Sequence, residues 1–312
     1  MKNVINRSHI EGILYEHALE MKVSGPNSKN PNTQFITGTV SIATDNACVN
    51  IVPVHFTYVT ATTAKGTANA TFTTLKNIID GVIGTYMKDG KEKAGKLRID
   101  SAIGLNEFYS DRNGKTELVS AKRNEGGFVH TCDVLAEVEK TRNTFECDML
   151  ITNATRFEAN EERNIPERVV IKGAIFDFRK ALLPVEFTAL APNAMNYFED
   201  LGATQKEPVF TKVWGRQVSE TIVNKIEEES AFGEPSVREV RSTRKDFVIT
   251  GAIKEPYLWD DESTMTAQEL VDAIAARETY LAGVKQRQDE YNASKNSSAN
   301  AAAAPAEGEF RF

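Results

Sequence analysis

The stretch Phe35-Ile36-Thr37-Gly38-Thr39-Val40 leads into Pro53-Val54-His55-Phe56-Thr57. About 135 residues later, Val170-Ile171-Lys172-Gly173-Ala174-Ile175 leads into Pro184-Val185-Glu186-Phe187-Thr188. Each copy is a β-branched strand with an embedded glycine, followed by a second strand and a helix-like segment. Glycine inside a strand marks a bulge, a barrel corner or the close approach of another backbone. The repeat therefore predicts a duplicated small barrel.

The order of elements in the first copy is typical of one kind of barrel. Three strands are followed by a helix over Thr73 to Met87, and then by two strands, Leu97 to Phe108 and Glu117 to Val134. Asp111-Arg112-Asn113-Gly114 is a strong hairpin signal between these two strands. This is the order of the OB-fold, a five-stranded barrel with its helix between the third and fourth strands. The second copy follows the same plan, with a helix near Asn193 to Leu201.

These patterns predict a mainly β protein of four parts. Two OB-like five-stranded barrels, produced by internal duplication, span 1–135 and 136–258. The sequence Thr266-Ala267-Gln268-Glu269 is a capping box, and it predicts an amphipathic helix within 259–291. Residues 292–312 are poor in large apolar side chains, which predicts a flexible, disordered tail.

Composition limits the environment of the chain. With 312 residues, 41% of them hydrophobic, it has no apolar run of membrane-spanning length and no signal-peptide core at its N-terminus, so we expect a cytoplasmic protein, in the host cytoplasm if it is viral. Three scattered cysteines fit reduced thiols. The net charge of −7 does not exclude nucleic acid, because phosphate binding depends on the charges that line a groove.

One later strand has the alternation expected of a nucleic-acid platform. Period two places Phe210, Lys212, Trp214 and Arg216 on one face. Aromatic rings stack on bases while cations neutralise phosphates, so this face predicts binding of single strands. The alternative, at even odds, is that Phe210 and Trp214 are barrel core with the two cations at the rims.

Further cations are weaker candidates for nucleic-acid binding. Lys96 and Arg98, then Lys122 and Arg123, bracket the hairpin between strands four and five, where OB-folds often contact nucleic acid. Arg238, Arg241 and Arg244 form a cluster that lines a groove or, equally, protects a strand edge. Phe176 and Phe178 share a face, for which core packing is the favoured interpretation.

Catalytic signals are weak. The chain has no glycine-rich phosphate loop, nucleophile elbow or His-Glu-x-x-His motif. His130 and Cys132, with Cys147, offer metal-ligand side chains, but no Cys-x-x-Cys pair accompanies them. We expect no enzyme activity, no metal and no cofactor.

The Ile-x-Gly strands, the aromatic and basic strand, and the acidic and aromatic C-terminus resemble those of bacteriophage single-stranded DNA-binding proteins. The resemblance implies a sequence-tolerant protein of DNA replication or recombination. It also implies a tail that recruits replication or recombination proteins, here through Glu307, Glu309, Phe310 and Phe312. The alternative is a phage structural or assembly protein, since duplicated β-domains also form virion parts. The sequence does not exclude binding of duplex or RNA.

Overall fold

The computed structural model describes residues 4–112, 115–160, 165–228, 236–259 and 265–302. For residues 111, 112, 115, 220–228, 236–244 and 294–302 only the backbone is described. The mainly β composition is confirmed, with ten strands that form one continuous hydrogen-bonded sheet in this part of the chain. The described strands fall into two sets of five with the same pairing pattern.

The first set closes on itself. Its order is β2-β3-β5-β4-β1, and β1 also pairs with β2. The contact between β3 and β5 is parallel, and the others are antiparallel. The strands are β1 (Asn6–Val23), β2 (Gln34–Ala43), β3 (Ile51–Thr60), β4 (Lys96–Arg112) and β5 (Lys115–Thr131). Side chains that alternate along these strands, including Val54 and Phe56, fill the interior together with Leu75 and Ile78 of the following helix.

The predicted helix between the third and fourth strands is divided in two. Helix α1 (Ala70–Ile79) ends at its C-cap Asp80, and α2 (Tyr86–Asp89) is a separate short turn. The single helix predicted over Thr73 to Met87 is therefore wrong. Gly81 takes a φ of 74°, which breaks the helical hydrogen-bond series after Ile79.

The second set repeats the pattern. Its order is β6-β7-β8-β10-β9, with β6 also paired to β9 and with a parallel contact between β8 and β10. The strands are β6 (Asn143–Phe157), β7 (Arg168–Phe176), β8 (Leu182–Ala189), β9 (Val209–Glu228) and β10 (Ser236–Ala252), with α3 (Pro192–Asp200) between β8 and β9. A short 3-10 turn, Glu139–Thr141, precedes β6.

The two repeated glycines lie where another strand approaches closely. A Cβ on Gly38 would lie 2.0 Å from the carbonyl oxygen of Ala18, and one on Gly173 would lie 2.0 Å from that of Leu150. Gly38 also has a φ of 126°, which side chains rarely adopt. The prediction that these glycines mark a close backbone approach is confirmed.

The two sets join through strand pairing and a cluster of buried amides. Strand β1 pairs antiparallel with β6, from Asn6 opposite Cys147 to Ile10 opposite Asn143. Beside this contact, Asn50 and Asn143 each donate a side-chain hydrogen bond to the main-chain oxygen of Gln217. The halves are thus held in a defined register by polar as well as apolar contacts.

The last helix packs against both sets. Met265 just before α4 (Ala267–Ala302) is buried with Phe176 and Phe210, and Arg277 pairs with Glu107 of β4. The helix continues to Ala302, past the end near Tyr291 that its apolar spacing indicates, and a flexible tail from residue 292 onward stays a prediction. Alanine is the strongest helix former, and the first proline comes only at Pro305. None of the helices in the described ranges has the length and apolarity to cross a membrane.

Candidate nucleic-acid interface

Strand β9 has the two faces that its sequence predicts. Thr211 and Val213 are buried, whereas Lys212, Trp214 and Arg216 point to the other side and keep solvent contact. Because a strand alternates its side chains, the outward face carries one ring between two cations. The face therefore retains part of the predicted platform.

Phe210 is not part of an exposed platform. It is 4% exposed, and its ring centroid lies 6.3 Å from that of Phe176 and 5.2 Å from that of Tyr257. Met265 completes this cluster ahead of α4. The prediction that Phe210 stacks on bases is wrong, because the segment leading into the C-terminal helix covers this end of the strand.

Trp214 is held flat against the strand beside it. It is 40% exposed, and a Cβ on Gly251 would lie 2.4 Å from its indole atoms, so only glycine leaves room for the ring. Its neighbour Lys212 is not a free cation, because Lys212 Nζ lies 3.4 Å from Glu146 Oε1. Arg216 lies next to Trp214 on the same outward face with partial solvent contact.

The carboxylate of Glu146 is shared by cations from two strands. Arg7 of β1 donates to Glu146 Oε2 through Nε, at 2.9 Å, and Lys212 approaches the other oxygen. Burial raises the pKa of Glu146, but the hydrogen bonds and charges of Arg7 and Lys212 outweigh burial and hold it below the usual value. One carboxylate thus faces two cations, so the group of Arg7, Lys212 and Glu146 keeps one net positive charge.

The four cations predicted around the first hairpin do not form one cluster. Arg98 lies opposite His130, whereas Lys122 lies opposite Leu105, seven positions along β4 and about 23 Å away at the rise of a strand. Lys96 Nζ donates to the main-chain oxygen of Asp133 at 2.8 Å, and Arg98 Nε lies 3.8 Å from Asp100. These residues are exposed but separate from the second pair.

Lys122 lies in the joint between the two halves. Its Nζ is 5.3 Å from the ring centroids of both Phe187 and Phe247 and donates to the main-chain oxygen of Glu186. Burial lowers the pKa of this amine. Its side chain keeps partial solvent contact although the amine is engaged by the second half, and contact of Lys122 with phosphate stays a prediction. Arg123 donates to Glu125 at 2.7 Å and is thus already paired.

The remaining predicted site residues lie outside what the structure describes. Arg238, Arg241 and Arg244 have a described backbone on β10, opposite Ile226, Val223 and Glu220, but their side chains are outside the described residues. Glu307, Glu309, Phe310 and Phe312 are wholly outside them. Their roles stay predictions.

A groove that the sequence did not predict brings exposed rings from both halves together. We call it the aromatic groove; it has a volume of about 620 Å³, and its exposed lining side chains include the rings of Tyr58, Phe128 and Phe178 together with Arg179. Phe128 is 70% and Phe178 87% exposed. The first half also lines the groove with threonines, of which Thr57, Thr62 and Thr63 are exposed. Large exposed rings in one concave surface are uncommon unless something binds there.

A tight turn presents Phe178 and Arg179 to the groove. Asp177 Oδ1 accepts from the main-chain nitrogens of Arg179 and Ala181, both at 2.8 Å. The Arg179 guanidinium lies 5.0 Å from the Phe178 ring centroid, a cation–π distance. The turn therefore fixes a ring and a cation side by side, before any ligand arrives.

Sequence periodicity misassigned one of these rings. Phe176 is buried as expected, but β7 ends there, and Phe178 follows in the turn. The signal that could have separated them is Asp177, since aspartate side chains accept hydrogen bonds from the backbone in turns. Tyr58 continues the stripe of Val54 and Phe56, and its position beyond the filled interior could not be read from that pattern.

Comparisons with known proteins give one family and several distant structures. A crystal structure of a deletion mutant of the single-stranded DNA-binding protein from Thermus aquaticus is similar with a TM-score of 0.46 and 10% identity, over 85% of this chain and 100% of that one. The wild-type Thermus aquaticus protein gives 0.43 and 9%, over 81% and 94%. No curated protein matches the chain. The YorF family model matches residues 5–302, and the chain therefore belongs to the YorF family.

Proposed function

We propose that this protein binds single-stranded DNA through the aromatic groove, without catalysis and with little sequence preference. The observation that carries the proposal is the convergence of Tyr58, Phe128 and Phe178 with Arg179 in one open groove. Every base offers a π-face, so a row of exposed rings binds bases of any sequence, while a cation and hydroxyl groups contact the backbone.

The fold supports this use of the groove. We propose that each closed five-stranded set is an OB-like barrel and that the two arose by internal duplication, since both have the same strand order and the same helix position. The groove then lies where the β3 and β5 ends of the first barrel meet the β7–β8 turn of the second. A strand lying there contacts both barrels at once.

The outward face of β9 offers a second contact in this proposal. Trp214 has a fixed ring orientation over Gly251, and Arg216 lies beside it. Lys212 shares Glu146 with Arg7, and it adds a partly compensated positive charge beside the stacking ring of Trp214. A role in phage DNA replication or recombination, with partners recruited by the C-terminal residues, stays a prediction of the sequence resemblance.

A second candidate function follows from the same exposed rings. An assembly protein would use such a patch to bury apolar surface against another copy. The two functions differ in what binds to the exposed rings. In the first it is single-stranded DNA, and in the second it is another copy of the protein, which binds more as the protein concentration rises.

One titration separates them. Oligo-dT, duplex DNA of equal length and buffer alone would each be added to the purified protein while tryptophan fluorescence and sedimentation are recorded. We expect saturable binding of oligo-dT, weaker binding of duplex and no growth of the particle without DNA. Equal or absent binding of the two DNAs would refute the proposal, and concentration-dependent assembly without DNA binding would favour the second function.

A further inference from the structure

A second cavity continues the aromatic groove beneath α4. It has a volume of about 390 Å³, and Phe178 and Glu125 line both spaces. Leu105 and Leu183 form its apolar floor, and Ala276, Arg277 and Tyr280 of α4 form its roof. This volume is near the lower end for ligand pockets, which are about 300–1,000 Å³, and it has room for one heterocyclic base.

Arg277, which lines this cavity, carries a buried hydrogen-bond donor that no described residue uses. Its two terminal nitrogens donate to Glu107, one of them at 2.6 Å, and the pair is almost completely buried. Arg277 Nε is also buried but has no hydrogen-bond partner among the described residues. A buried donor without a partner costs free energy, which a ligand acceptor would recover.

The other polar groups in the lining exclude phosphate. Glu125 and Asp177 place carboxylates beside the cavity, Arg123 pairs with one oxygen of Glu125, and Glu107 is neutralised by Arg277, so the described lining offers no unpaired cation. Carboxylates repel a phosphate but accept hydrogen bonds from an amino group. Two aromatic rings in the lining are available for stacking on a base. Phe178 comes from the β7–β8 turn and Tyr280 comes from α4.

We propose that this cavity is a base-binding subsite that takes one everted, amino-bearing base from a single strand lying in the aromatic groove. The inference rests on the proposed function and adds a preference to it. Cytosine offers an amino donor to the carboxylates and ring acceptors to Arg277 Nε, whereas thymine presents a carbonyl oxygen in place of the amino group. Everting a base from a single strand needs no unpairing, so the cost is small.

The test compares oligo-dC with oligo-dT of equal length by anisotropy, in the wild-type protein and in three variants. Tyr280→Ala removes one wall. Ala276→Phe fills the cavity from an exposed helix position without removing a contact. Tyr291→Ala, an exposed tyrosine on the same helix that does not line the cavity, is the matched control.

We expect oligo-dC to bind at least about fivefold more tightly than oligo-dT in the wild-type and Tyr291→Ala proteins. In Ala276→Phe and Tyr280→Ala the ratio should fall to about one, with oligo-dT affinity retained. Equal binding of the two oligonucleotides by the wild type, or a ratio that survives Ala276→Phe, would overturn the subsite and leave the proposed function intact. Absence of binding to both would instead refute the proposed function.

Discussion

Asn124 and Gln217 exchange two hydrogen bonds across the joint between the two sets of five strands. Asn124 Nδ2 donates to Gln217 Oε1 at 2.7 Å, and Gln217 Nε2 donates to Asn124 Oδ1 at 2.8 Å, although the residues are 93 positions apart. Both side chains are buried, so neither amide has water as an alternative partner. The pair fixes how β5 of the first half sits against β9 of the second, and hence the width of the space between them.

The losses of stability in the two single variants should add up to more than the loss in the double variant. Gln217→Ala leaves Asn124 Oδ1 buried without its donor, while Asn124 Nδ2 keeps the main-chain oxygen of Pro53, and this should cost about 1–3 kcal/mol. Asn124→Ala should cost a similar amount. The double variant should show a coupling of about 0.5–3 kcal/mol in denaturant unfolding. Strictly additive losses would show that the two amides do not act as a pair.

Alanine substitutions of Phe210 and Trp214 should have different effects, one on stability and the other on DNA binding, although the two residues share a strand face. Phe210→Ala opens the buried cluster with Phe176 and Tyr257 and should lower stability by about 3–5 kcal/mol. Trp214→Ala removes a half-exposed ring and should instead weaken oligo-dT binding by about 1–3 kcal/mol. Melting and binding curves on both variants measure this. A Trp214→Ala protein with unchanged affinity would remove the β9 face from the proposed interface.

The glycine repeat and period-two patterns were enough to predict most strands, because these depend on local backbone geometry, whereas the helix after β3 was predicted as one element and is two. Strand β6 was not singled out, although Phe145, Cys147 and Met149 alternate along it. The interface was predicted less well. The burial of Phe210 depends on the segment before α4, and the contacts of Lys122 depend on the second half of the chain, both of which are distant in sequence. The exposure of Phe178 depends on a turn that begins one residue before it.

Salt should affect binding less than the many cations of the sequence suggest. Arg179 is the only lysine or arginine among the described residues that line the aromatic groove, and Arg123 and Lys212 are paired with carboxylates. One or two phosphate contacts on a single strand give a slope of about −0.7 to −1.4 in log affinity against log salt. Arg179→Gln should make the slope shallower by about 0.7. A wild-type slope of about −4 would require cations that this account leaves out.

Acid should weaken the contact between β1, β6 and β9 through Glu146. Its pKa in the folded protein lies below its usual 4.5, because Arg7 and Lys212 outweigh the effect of burial. The stabilisation is therefore present above the unfolded value and is lost as pH falls through the lowered folded pKa. Glu146→Gln should lower stability at neutral pH and flatten its decline below pH 4.5. Unfolding curves with the same pH dependence in both proteins would contradict this.

The central claim is that Phe178 stacks on single-stranded DNA, and one pair of variants tests it most directly. Phe178→Ala and the matched control Phe157→Ala, an exposed ring outside the aromatic groove, would be titrated with oligo-dT. We predict that Phe178→Ala binds about 5- to 150-fold more weakly at an unchanged melting temperature, while Phe157→Ala binds as the wild type does. Wild-type affinity in Phe178→Ala would contradict the account.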